Sequence, residues 1–119
     1  MAELRFFKMT EFDCKCGCGS NRMLGAFLWK LDLCRERCKF RFDVTSGYRC
    51  EKHNAAVGGK KKSEHLSGRG VDIATHNSRE RYKIVEEAIE LGINRIGIGS
   101  DFVHLGYDKS KVQMVIWVY

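Results

Sequence analysis

The chain has 119 residues, 44% hydrophobic and 30% charged, which is the size of one domain over residues 1–119 with a core of its own and leaves no room for a second. Lys and Arg outnumber Asp and Glu by 21 to 15, a surplus that attracts polyanions, among them a bacterial cell wall. The basic residues are spread out apart from the run Lys60, Lys61 and Lys62, and the motifs of a specific nucleic-acid binder are missing. No apolar run approaches a bilayer-spanning length, and the start MAELRFFKMTEFD has no apolar export core. The expectation is a soluble monomer without membrane insertion, made in the cytoplasm without a signal peptide.

In chain order, CKCGCGSN (Cys14 to Asn21) reads as a loop, and Ser20 as the cap of a helix from about Asn21 to Lys39. Leu24, Phe27, Leu28, Leu31 and Cys38 recur there at helical spacing and form a buried stripe. FRFDVT alternates Phe40, Phe42 and Val44 against polar residues, the pattern of a strand with one covered face. Ser46 to Gly70 is a long irregular segment with a short helix around Glu51 to Ala56, and such a stretch inside a small domain is usually functional. GVDIA is a short central strand.

Ser78 to Gly92 is a second helix with Tyr82, Val85 and Ile89 on one face and Gly92 as its terminator. Three strands follow, Arg95 to Ile98, Phe102 to Leu105 and Val112 to Val118. The fold class is therefore α+β, with a small, mainly antiparallel sheet packed with two main helices.

The chemistry concentrates in SEHLSGRGVDI, Ser63 to Ile73. The fold-back between Gly68 and Gly70 brings His65 and Asp72 toward one point, and His104 on a neighbouring strand completes a His2Asp set. Catalytic zinc typically takes three protein ligands and lowers the pKa of a water in its fourth position to about 7. Asp101, three residues before His104, is the carboxylate that a general base requires. Its placement needs a bend before Phe102, which Gly97, Gly99 and Ser100 permit. An isolated His and Asp in a polar loop are more often surface groups, and His53 and His76 are read as such or as outer supports.

These residues resemble a known family. SGYRC, then HN, GG and SEHLSGRGVDI, with DFVH further on, is similar to the zinc D-Ala-D-Ala carboxypeptidases, which include phage endolysins that cut the L-alanyl-D-glutamate bond of peptidoglycan. Ser63, His65, Gly68 and Asp72 match the SxHxxGxAxD signature, and EFDCKCGCG, Glu11 to Gly19, matches a small subgroup. The resemblance runs from about Glu11 to the terminal WVY. It implies a hedgehog/DD-peptidase-like fold, Zn2+ on His65, Asp72 and His104, and Asp101 as catalytic acid/base. It also implies Arg49 as the arginine that holds the substrate and stabilises the oxyanion, with Ser63 at the edge of the substrate cleft. Tyr48, beside Arg49, joins them as a substrate contact.

The implied function is a zinc metallopeptidase that hydrolyses peptidoglycan stem peptides, of the endolysin type, acting on the wall when released from the cytoplasm. The alternatives are a D-Ala-D-Ala carboxypeptidase and a non-catalytic zinc-containing binding module. The sequence departs from the family twice. Gly70 replaces the signature alanine, a small-for-small change of little expected consequence. Gly106 stands where the family often has the aspartate of an HxD motif, a loss expected to lower metal affinity unless Asp108 substitutes.

Six cysteines, at 14, 16, 18, 34, 38 and 50, admit three readings, namely a second, structural zinc, disulfides, or reduced thiols. Single-residue gaps are not the usual zinc spacing, and Cys34 and Cys38 on an apolar helix face suit buried thiols. Trp117 and Tyr119 are expected to pack on the sheet.

Overall fold

A computed structural model describes residues 3–119. A five-stranded sheet is formed by β1 (Val44–Ser46), β2 (Gly70–Ala74), β3 (Arg95–Ile98), β4 (Phe102–Gly106) and β5 (Val115–Val118), in the order β1-β2-β4-β3-β5. All pairings are antiparallel except β3 with β5, which is parallel. The helices are α1 (Gly25–Cys38), α2 (Glu51–Ala56) and α3 (Ser78–Glu90), preceded by a 3-10 turn at Met9–Phe12. The α+β class with two main helices and a mainly antiparallel sheet is what the chain adopts.

The core lies between the helices and one face of the sheet. Phe27, Leu28, Leu31, Cys34 and Cys38 of α1 meet Ile84 and Ala88 of α3, above Val71, Ile73, Ile96, Val103 and Leu105. Cys34 and Cys38 are buried thiols whose sulfurs approach the carbonyls of Ile84 and Lys83. No helix among the described residues is long and apolar enough to cross a membrane.

Several boundaries differ from the sequence expectation for physical reasons. Helix α1 starts at Gly25 rather than Asn21, because Asn21 is engaged elsewhere. Its side chain donates to Met9 O and Asp13 Oδ1, both at 2.9 Å, and accepts from Met23 N. The Leu24 amide goes to Gly68 O, tying the entry of α1 to the loop before β2. Of the FRFDVT run only Val44 and Thr45 fall in a strand, β1, while Phe40 and Phe42 turn their rings to each other. In α3 the inward face is Ile84, Glu87 and Ala88, and Tyr82 and Ile89 are exposed. The expected face of Tyr82, Val85 and Ile89 is thus corrected, since contact with the α1 sulfurs turns Ile84 and Ala88 inward and leaves only Val85 of the expected three packed against the core. Strand β5 begins at Val115 rather than Val112, since Met114 adopts φ 59° and breaks the extended run.

The N-terminal segment is pinned by a residue that the hydrophobic pattern passes over. Asp32, buried on α1, accepts from the backbone amides of Arg5 and Phe6, both at 3.0 Å.

Candidate metal centre

Strands β2 and β4 pair so that Asp72 stands opposite His104. His65 enters from the loop before β2, where Ser63 Oγ accepts from its amide at 3.2 Å and its carbonyl accepts from Arg49 N at 3.1 Å. The three side chains thereby meet. His104 Nδ1 donates to Asp72 Oδ1 at 2.9 Å, and His65 Nε2 lies 3.3 Å from the same oxygen. Both imidazoles are buried and Asp72 nearly so.

The outer nitrogens of both rings are also held. His65 Nδ1 donates to Gly47 O at 2.7 Å, and His104 Nε2 donates to Glu64 Oε1 at 2.9 Å. A metal-ligating histidine is fixed by an acceptor on the nitrogen that faces away from the ion. These partners assign His65 Nε2, Asp72 Oδ1 and His104 Nδ1 as the donors that face inward. Zinc bonds of about 2.0–2.2 Å to nitrogen and oxygen put tetrahedral donors roughly 3.3 Å apart, close to the separations found. The residues fit a zinc ion, and their identity as two imidazoles and one carboxylate leaves a fourth position for water or substrate.

Without metal, Asp72, His104 and Glu64 shift one another's protonation. Burial pushes the Asp72 carboxyl up, but hydrogen bonds from His104 and His65 outweigh it and hold it well below the usual carboxylate range. Burial disfavours a charged His104, yet the carboxylates of Asp72 and Glu64 on its two nitrogens raise it above its ordinary 6.5. Glu64 is pushed up by burial and pulled down further by His104, Asp108 N and Arg95. A cation belongs between these carboxylates, whether proton or metal.

Glu64 is the site residue that the sequence did not single out. It sits between Ser63 and His65 and is only 4% exposed. Its Oε2 accepts from Arg95 Nε at 2.9 Å and from Asp108 N at 3.1 Å. A β-carbon at position 106 would fall on the Glu64 carboxylate, and one at position 70 would lie 2.8 Å from Glu64 Cβ and 3.0 Å from His104 Cε1. Two expectations are corrected by this. Gly70 is not a neutral replacement for alanine, since it clears the space that Glu64 occupies. Asp108 does not substitute for the carboxylate missing at Gly106, because its side chain is bound to Ser110 Oγ at 2.6 Å and Ser110 N at 3.0 Å. Glu64 does so instead.

Of the remaining sequence candidates, Arg49 borders the centre. Its NH2 is 3.7 Å from Asp72 Oδ2, its Nε donates to Ser46 Oγ at 3.1 Å, and its NH1 donates to Asn54 Oδ1 at 3.3 Å. Tyr48 is buried, with its amide donating to Phe12 O. Asp101 lies in the turn between β3 and β4 that Gly99 and Phe102 close. Its carboxylate is exposed, and its carbonyl accepts from Thr75 N at 2.8 Å. Among the described residues its side chain is not joined to the His65, Asp72 and His104 cluster. His76 is a surface group beside Glu80 and Asp43. Trp117, opposite Gly97 in the sheet register, has its ring 5.6 Å from that of His104, with the Arg95 guanidinium above it. A β-carbon at Gly97 would lie 2.6 Å from Trp117 Nε1, so the glycine lets the indole settle against the site.

No curated protein matches the chain. The sequence model of the family described as peptidase M15 matches residues 5–106, a span that contains every residue of the His65, Asp72 and His104 centre together with Glu64, Arg49 and Asp101. The chain belongs to the peptidase M15 family.

Proposed function

We propose that the chain is a zinc metallopeptidase that hydrolyses a peptide bond in peptidoglycan stem peptides, of the endolysin type that cuts between L-alanine and D-glutamate. The observation that carries the reading is the convergence of His65 Nε2, Asp72 Oδ1 and His104 Nδ1, with both outer nitrogens already tied to acceptors. A zinc ion held by these donors would supply a Lewis acid for the scissile carbonyl and lower the pKa of water in its open position.

The chain's own groups do the rest. The Arg49 guanidinium, half-buried beside Asp72, presents the remaining edge of its planar fork to a substrate carbonyl or carboxylate. As negative charge develops on the carbonyl oxygen, that cation stabilises it. Asp101 is assigned the proton transfers, accepting a proton from the attacking water and returning it to the leaving amine. Ser63 keeps the His65 loop in register through its hydroxyl, and it is assigned the edge of the substrate cleft, with Tyr48 supporting Arg49 from the buried side.

The test is digestion of purified peptidoglycan by the zinc-loaded protein beside its Asp101→Ala variant, with released termini identified by mass spectrometry. New D-glutamate amino termini from the wild type alone are expected. Released D-alanine would move the assignment to a carboxypeptidase. No cleavage of several wall types would overturn the peptidase reading in favour of a binding module.

A further inference from the structure

A second set of donors lies apart from the His2Asp centre. The Sγ of Cys14 is 3.4 Å from that of Cys16, and Cys50 Sγ is 3.7 Å from both. Cys18 completes the group, with all four sulfurs within 4.8 Å of one another. A tetrahedral zinc with Zn–S bonds of about 2.3 Å holds its sulfurs roughly 3.8 Å apart. Three of the separations are thus near the edge of that tetrahedron, and all four cysteines are free thiols.

The backbone explains how single-residue gaps converge. An extended strand rises about 3.3 Å per residue and would string Cys14, Cys16 and Cys18 along a line. Gly17 and Gly19 instead adopt φ 87° and 74°, which coils the loop on itself, a conformation that a side chain would strain. Cys14 N closes the loop on Ser20 O at 2.9 Å. The fourth thiol comes from the start of α2. Cys50 N donates to Cys14 Sγ and His53 N donates to Cys50 Sγ, both at 3.4 Å. Amides aimed at sulfur favour the thiolate that a metal requires.

We propose that Cys14, Cys16, Cys18 and Cys50 bind a structural zinc ion, separate from the metal of His65, Asp72 and His104, that clamps the CKCGCG loop onto the segment carrying Arg49. Four thiolates in a closed tetrahedron select a soft ion and leave no position for a substrate. Cys50 is the immediate neighbour of Arg49, and Phe12 O, just before the loop, accepts from Tyr48 N at 2.9 Å. The ion therefore closes a second link between the same two stretches, beside Arg49. Cys16 and Cys18 are exposed, so the ion can enter from solvent.

Metal analysis of the full chain after zinc loading and dialysis tests the proposal, using His65→Ala/His104→Ala to leave only the cysteine site. About two zinc ions per wild-type chain are expected, falling to about one in that variant and to about one in Cys16→Ser/Cys18→Ser. Cobalt loaded into the histidine variant should show sulfur-to-cobalt charge-transfer absorption, lost on adding the cysteine substitutions. Thiol alkylation of the wild type gives a reading that needs no folded variant. Addition of a strong chelator should make Cys16, Cys18 and Cys50 newly reactive, while the buried Cys34 and Cys38 stay protected. One zinc per wild-type chain with no thiolate absorption, an unchanged thiol count on chelation, or cysteines already paired as disulfides would overturn the proposal. Because the counts are independent of turnover, an inactive but doubly loaded protein would fail the peptidase reading and leave this one standing.

Discussion

Glu64 Oε1 accepts from His104 Nε2 at 2.9 Å across the one place in the sheet where two glycines face each other, Gly70 of β2 and Gly106 of β4. The Glu64 carboxylate occupies the space that a side chain at position 106 would fill, and Glu64 Cβ with the His104 ring crowds that at position 70. His104 thus receives its outer acceptor from the loop that carries His65, not from its own strand. One short segment, Ser63 to His65, supplies both the His65 imidazole of the cluster and the acceptor behind His104.

Glu64→Gln is expected to weaken zinc at the histidine site about 10- to 100-fold, the usual cost of removing a partner behind a ligating histidine. The introduced amide can accept from His104 with its oxygen, but its NH2 group then faces the donors Arg95 Nε and Asp108 N. Competition with a chromophoric chelator, in a Cys16→Ser/Cys18→Ser background, measures the histidine site alone. Wild-type affinity in Glu64→Gln would show that the contact does not support the metal.

Gly106→Asp restores the carboxylate of the HxD pattern and should nevertheless damage the protein, because the new side chain meets Glu64 in a filled space. Overpacking of this kind costs about 1–3 kcal/mol, and two adjacent buried carboxylates add repulsion. Combining it with Glu64→Ala empties the space and should recover much of the lost stability. Thermal melts of the two single variants and the double variant make a cycle, and additive losses would show that the two positions do not share the site.

The part of the site that was legible in the sequence consists of groups whose type announces their chemistry. Histidines and an aspartate near closely spaced glycines are conspicuous, and the strand pattern put Asp72 and His104 on strands whose pairing the sheet register then supplies. Glu64 was hidden because a charged residue between a serine and a histidine in a polar loop looks like any solvated loop residue. Only the tertiary pairing of Gly70 with Gly106 reveals the pocket that buries it. The cysteine loop was obscure for a related reason, since the left-handed turns at Gly17 and Gly19 bring together sulfurs whose spacing suggests an extended line. In α3 the apolar spacing pointed to Tyr82, Val85 and Ile89, and it is the packing of α1 that turns Ile84 and Ala88 inward instead.

Arg49→Lys should retain zinc while lowering kcat/KM on a stem-peptide substrate about 100-fold, the order found on removing a donor to a developing oxyanion. Lysine keeps the charge but not the fork that Ser46 and Asn54 hold in place. Zinc content and steady-state rates, measured on the same preparation, separate positioning from metal loss. Unchanged kcat/KM in a zinc-replete variant would remove Arg49 from the substrate side of the mechanism.

The pH dependence of the metal-free protein follows from the directions of three titrations. Asp72 and Glu64 are held low in the fold, so their contribution is present above about pH 4 and is lost as pH falls through the folded values. His104 is held above its ordinary 6.5, so its contribution is fully present below that value and is lost as pH rises through the raised one. For this cluster the chelated wild type should therefore be most stable between about pH 4.5 and 6.5, with Tm declining on the alkaline side. His104→Gln removes the imidazolium and should abolish the alkaline decline that this group causes. Thermal melts of both chelated proteins from about pH 4 to 9 decide it, since equal alkaline slopes would mean that the proton shared by Asp72, His104 and Glu64 does not stabilise the fold. Zinc bound at His104 Nδ1 would displace that proton, so affinity at the histidine site should rise with pH over the same range in which the chelated protein loses stability.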